Sequence, residues 1–156
     1  MDRIILLCAM LTVSFSVMAE SQPWMKKDDP NSLGLYVMVG KKCPFDEEDL
    51  RDMAEGEYLR ARIKPTGGIT GLKITISALC QKVTMDGRNI GTNAAFTLDF
   101  STRTEFPDLT IVRYGPGVLS LLNLSQNKME AKTKFLTMIR DQLNLALTDY
   151  LKANME

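Results

Sequence analysis

The 156-residue chain contains no histidine. That absence excludes Ser-His-Asp and Cys-His catalysis, imidazole acid–base chemistry, and the common zinc and non-haem iron ligand sets. Cysteine is scarce too: the three residues Cys8, Cys43 and Cys80 include no C-x-x-C spacing that would mark a redox or metal pair. Neither sign of charge is in excess, since 19 Lys and Arg stand against 19 Asp and Glu. Neutrality argues against a nucleic-acid partner and against a polybasic membrane tether, both of which need a basic surplus. There is no internal repeat and no low-complexity tract. Past Ala19, no apolar run approaches the roughly 20 residues that cross a bilayer.

The first residues, MDRIILLCAMLTVSFSVMA, place one early arginine before an apolar run from Ile4 to Val17 and small residues at Val17 and Ala19. This layout predicts a secretory signal peptide over residues 1–19, cleaved after Ala19. Cys8 stands in front of most of the apolar run, too early for a lipoprotein attachment site. The remaining chain, Glu20 to Glu156, is one domain's worth of sequence. Its expected parts are a loose leader over residues 20–32, with Trp24 docked on the body, and a single domain over 33–156. Cleavage leaves Cys43 and Cys80 alone in a compartment that favours oxidation, so they are expected to form a disulfide.

Leu33 to Val39, LGLYVMV, is a short and nearly continuous apolar run, as in a strand buried on both faces. Asp46 then suits a helix N-cap, with Glu47, Glu48 and Asp49 at the positive end of the dipole and Phe45 and Leu50 spaced as a hydrophobic staple. Where this helix ends is ambiguous, because EGEYLRARIKP from Glu55 to Pro65 alternates like a strand yet also continues the helical face. The cysteines decide between the two. If the chain rises along the first strand, descends through a long helix and rises again along Leu72 to Gln81, Cys43 and Cys80 share one end of a parallel pair. An extra strand over Glu57 to Lys64, parallel to the first, would reverse the next one and separate the cysteines far beyond the roughly 7 Å that a disulfide tolerates. The helix is therefore expected from Asp46 to Ile63, with Arg60, Arg62 and Lys64 complementing its negative end and Pro65 as the stop.

LKITISALCQ, from Leu72 to Gln81, alternates as a half-buried strand. MDGRN carries an Asp86-Gly87 turn signal, and Ala94 to Ser101 forms the return strand. Leu109 to Tyr114 suggests a short strand, Gly115-Pro116-Gly117 a break, and Val118 to Leu124 an apolar run. Ser125 is expected to cap a long helix to Ala153, with a buried stripe of Met129, Leu136, Ile139, Leu143, Ala146, Leu147, Tyr150 and Leu151, widened by Phe135, Met138 and Leu145. The predicted fold is α+β: a two-layer sandwich in the order β-α-β-β-(β)-α, with two helices on one face of a mixed sheet.

The remaining chemistry is sparse. Paired carboxylates could support hydrolysis, but Asp46 to Asp49 are accounted for as cap and dipole partners. Glu55 and Glu57 are expected to face solvent. GGITG at Gly67 to Gly71 lacks the lysine and hydroxyl residue of a phosphate loop and precedes a strand. Two surfaces stand out as candidates for contact. One is the outward row of Lys73, Thr75 and Ser77 beside Thr97, Asp99 and Ser101. The other is Tyr114 to Leu124, including Leu119 and Leu122. The expectation is a periplasmic or secreted, non-enzymatic interaction protein without a cofactor, whose partner is another exported or envelope protein. An inhibitor or immunity-type protein against an envelope hydrolase, a carboxylate-dependent hydrolase and a small-ligand carrier are the alternatives.

Overall fold

The computed structural model describes residues 23–67, 71–102, 118–124 and 127–155. The expected signal peptide, the expected strand Leu109 to Tyr114, the Gly-Pro-Gly break and Ser125 lie outside these residues.

Five strands form one mixed sheet: β1 (Ser32–Val39), β2 (Lys64–Thr66), β3 (Lys73–Met85), β4 (Arg88–Ser101) and β5 (Val118–Asn123), in the spatial order β2-β1-β3-β4-β5. β1 runs parallel to both β2 and β3, and β3-β4 and β4-β5 are antiparallel. Helices α1 (Glu47–Arg60) and α2 (Lys128–Met155) cover one face. The sheet's inward rows are Leu35-Ile74-Phe100 and Val37-Ile76-Leu98, all buried beneath Leu50, Ala54 and Tyr58 of α1 and Phe135, Ile139, Leu143 and Tyr150 of α2. This is the predicted two-layer α+β sandwich.

β1 departs from expectation on one point. Leu33, Leu35 and Val37 are buried, but the alternate residues Tyr36 and Met38 are exposed. With both helices on one face, no described element covers the other, so β1 is buried on one side only. The β3–β4 hairpin is longer than its alternating core suggested. It turns on Asp86 (φ 50°) and Gly87 (φ 74°), the left-handed pair of the two-residue turn that matches strand twist.

The start of α1 follows its sequence signals. Asp46 Oδ accepts the Asp49 N–H at 2.9 Å while Asp49 accepts the Asp46 N–H at 3.2 Å, a reciprocal capping box, and Phe45 and Leu50 are buried as the staple. Its end comes earlier than expected, at Arg60 rather than Ile63. Arg62 adopts φ 60°, its N–H bonds the Leu59 carbonyl, and the Ile63 N–H reaches back to the Tyr58 carbonyl at 2.9 Å. These are the two bonds of a Schellman cap, which glycine usually makes. The chain then pairs Lys64 to Thr66 beside β1 as β2, so a helix and a short parallel strand follow one another. Glu57, expected in solvent, is buried and accepts a 2.7 Å bond from Arg60.

α2 is capped by Asn127, whose side-chain oxygen accepts the N–H groups of Met129 and Glu130. Met129 and Leu145, placed in its buried stripe by spacing, are exposed, and the true stripe is Ala131, Phe135, Ile139, Leu143, Ala146, Leu147, Tyr150 and Ala153. The leader is anchored rather than loose from Trp24 onward. Met25 is buried, Trp24 meets Phe100 edge-on at 6.3 Å, and Asn154 of α2 bonds both Met25 O and Lys27 N at 3.0 and 2.9 Å.

Gly56 lies inside α1, and a Cβ there would meet nothing within 4 Å. Alanine relieves the helix-interior glycine cost of about 1 kcal/mol. Gly56→Ala is therefore expected to raise the thermal midpoint by about 3–5 °C, read by circular dichroism melting.

Candidate functional site

The outward face of the sheet is built in rows set by strand register. Tyr36, Thr75 and Asp99 share one row, and Met38, Ser77 and Thr97 the next. Leu79, Ala95 and Ser120 follow, then Gln81, Asn93 and Leu122. Thr75 Oγ1 and Ser101 Oγ, 3.1 Å apart, tie β3 to β4 across this face. Thr75, Ser77 and Asp99 are thus brought together as the alternation implied, with Leu122 toward the far end of the same face. Leu119 is not among them: it sits in the row Val39-Ala78-Phe96-Leu119, on the helix side, partly buried against the core. Tyr114 lies outside the described residues.

Apolar exposure on the open face exceeds what the hydroxyl row suggested. Tyr36 is 49% exposed, Met38 47%, Leu79 65% and Leu122 53%. Tyr36 and Met38 were hidden by the uninterrupted apolar run of β1, which is the sequence signature of a doubly buried strand. The only pointer in the sequence was that two helices can cover one face but not both.

A second feature lies at the disulfide end, where Cys43 and Cys80 are joined with Cα atoms 4.8 Å apart. There the start of α1 faces the start of α2 across a hollow of about 710 Å³, lined by Phe45, Asp46, Asp49, Met129 and Lys132 among others. Its carboxylates are already engaged. Asp46 is the helix cap, and Asp49 completes the capping box and pairs with Lys132 at 2.5 Å. The Lys132 ammonium, hydrogen-bonded to Asp49, holds that carboxyl below the ordinary carboxylate range, aided by the backbone bond at Asp46. A general acid for glycoside hydrolysis needs the opposite shift.

Beside this hollow is a smaller one of about 380 Å³, lined by Lys41, Lys42, Lys82, Lys128, Asn89 and Thr92, with Cys43, Pro44 and Ala131 completing it. Among the described residues, no Asp or Glu lines it. None of these lysines stood out in the sequence, although a signal was present. Lys41 and Lys42 precede Cys43 directly and Lys82 follows Cys80 by two residues, so the disulfide itself brings them near one another.

Among the described residues, no group of three or more His, Cys, Asp or Glu is placed to hold a metal. No helix of the described residues is long and apolar enough to cross a membrane.

The sequence matches no protein-family model and no curated protein. Among solved structures the chain is similar to a minor lipoprotein from Acinetobacter baumannii, at 9% identity and a TM-score of 0.37 over 76% of this chain and 87% of that one. It is also similar to a Caulobacter crescentus CB15 protein provisionally called a lipoprotein, at 10% identity and TM-score 0.41 over 76% and 90% of the two chains. A third is the rare lipoprotein B from Shewanella oneidensis, at 8% identity and TM-score 0.33 over 77% and 92%. Likenesses this weak carry no argument about activity.

The Asp49–Lys132 pair makes acid stability sensitive to one residue. A carboxyl whose folded pKa is lowered adds stability that is present at neutral pH and lost as the pH falls through about 4 toward the lowered value. Both side chains are about one-third exposed, which limits the contribution to no more than about 1 kcal/mol. Lys132→Gln is expected to flatten the loss of stability between pH 5 and pH 2 by that amount, measured by urea unfolding across the pH series.

Proposed function

We propose that this chain is an exported, non-enzymatic interaction protein of the cell envelope, working in the periplasm or outside the cell. Its partner is another exported protein, met across the open face of the sheet. The observation that carries the reading is the exposure of Tyr36, Met38 and Leu79 in consecutive rows, with both helices on the opposite side. A solvated sheet face ordinarily presents polar side chains outward. A row of aromatic, thioether and leucine side chains among the short hydroxyls of Thr75, Ser77 and Thr97 has instead the composition of an interface centre. Asp99, level with Tyr36, supplies one charge to orient the partner.

Four further points support the reading. The amino-terminal sequence has the layout of an export signal, and the two remaining cysteines pair, as suits an oxidising compartment. The chain has no histidine, and the acids nearest the larger hollow are engaged in capping and pairing. Oriented binding by a rigid sheet needs neither nucleophile nor cofactor.

Photo-crosslinking in intact cells tests this directly. A photoreactive residue at Ser77 is expected to give a discrete adduct with one exported protein. The same residue at Asn144, an exposed position on α2, is expected to give none. Adduct formation from Asn144 but not Ser77, or from neither position, contradicts the assignment of the open face.

A further inference from the structure

Elsewhere on the molecule some cations are matched to neighbouring acids, Arg51 to Glu47, Arg60 to Glu57, Lys132 to Asp49 and Lys134 to Glu130, while others such as Arg62, Lys64 and Lys152 stand singly on the surface without an ion pair among the described residues. The 380 Å³ hollow differs in gathering four lysines around one concavity. Lys41 and Lys42 come from the loop after β1, Lys82 from β3 and Lys128 from the first turn of α2, and among the described residues none of the four forms an ion pair. In a chain of zero net charge this is a marked local imbalance, since like charges converging on one concavity repel unless an anion joins them. Polar donors accompany them. Thr92 and Asn89 line the same hollow, and the Asn89 side-chain oxygen is engaged by the Gly91 N–H at 3.3 Å, which leaves its amide hydrogens to donate.

We infer that this hollow is a binding site for a multiply charged phosphate group of the size of a diphosphate. A monovalent carboxylate would neutralise one lysine of four. A nucleic acid would need basic surface well beyond the hollow, which a neutral chain does not offer. Lysines act here as mobile point charges, a recognised way of holding phosphate oxygens. The disulfide fixes the loop bearing Lys41 and Lys42 against the strand bearing Lys82, so the site is assembled before the ligand arrives. The same phosphate chemistry occurs in a soluble diphosphate and in an anionic lipid headgroup.

Isothermal titration of the oxidised protein with inorganic pyrophosphate at constant ionic strength tests the site. Saturable one-to-one binding is expected, weakened at least tenfold by the double substitution Lys42→Gln with Lys82→Gln. Lys64→Gln with Lys152→Gln, two exposed lysines outside the hollow, is expected to leave it unchanged, and matching thermal midpoints establish that all three proteins are folded. Flotation with vesicles of phosphatidylcholine, with and without phosphatidic acid, separates the sources. Flotation that depends on phosphatidic acid and is lost in the Lys42/Lys82 variant assigns a lipid headgroup, whereas pyrophosphate binding without flotation assigns a soluble phosphate compound. Absence of both, or equal weakening by the two lysine pairs, overturns the inference.

Discussion

β1 and β3 run side by side from Gly34-Lys73 to Val39-Ala78, and just beyond that last shared rung the chain closes on itself covalently. The Gly40 N–H bonds the Ala78 carbonyl at 2.8 Å, a turn closed by the Cys43 N–H on Gly40 O follows, and Cys43 meets Cys80. Parallel strands need a long connection between them, and their pairing carries a loop-closure cost that antiparallel hairpins avoid. The disulfide offsets that cost by restricting the unfolded chain across the same segment. It also sets where α1 begins, because only Pro44 and Phe45 separate Cys43 from the Asp46 cap.

The opposite end of the sheet is held by hydrogen bonds rather than a covalent link. Tyr58 of α1 donates its hydroxyl to Gly34 O at 2.9 Å, and Tyr150 of α2 donates to Pro30 O at 3.0 Å. Burial pushes the Tyr150 phenol up to about 12, with Asp29 adding to the rise, and holds Tyr58 far above the ordinary phenol range. Both therefore remain donors at any physiological pH. Gly34 has no room for a side chain, since a Cβ there would come within 2.6 Å of Lys73 Cβ. Each helix is thus pinned to the entry of β1 on one face, no described element covers the other face, and the disulfide gathers lysines at the opposite end of the sheet.

Much of this architecture was legible in the sequence because several signals agreed. The Asp46 cap, the Phe45-Leu50 staple, the Asp86-Gly87 turn and the alternation of β3 each pointed to the element that formed, and the cysteine geometry selected the parallel crossover. The misses have physical causes. The one glycine of EGEYLRARIKP, Gly56, lies inside the helix and none stands at the left-handed cap, so Arg62 ends the helix unseen and Lys64 to Thr66 pair as a strand on the edge of β1. Met129 and Leu145 satisfy helical spacing loosely, but a single layer of sheet leaves room for a narrower stripe. Of the candidate site, the hydroxyl row was visible through its period of two, whereas Tyr36 and Met38 were masked by their apolar neighbours. The lysine hollow depends on three distant segments and becomes visible only once the disulfide is used as a distance restraint.

The Cys43–Cys80 link closes the crossover and organises what surrounds it. Peptide mapping without reduction, paired with urea unfolding of the oxidised and reduced protein, tests it most directly. The expected result is a linked Cys43–Cys80 peptide pair, with reduction lowering the unfolding free energy by about 4 kcal/mol for a loop of 37 residues. Two free thiols in the folded, air-oxidised protein, or reduction that changes stability by less than about 0.5 kcal/mol, would contradict it.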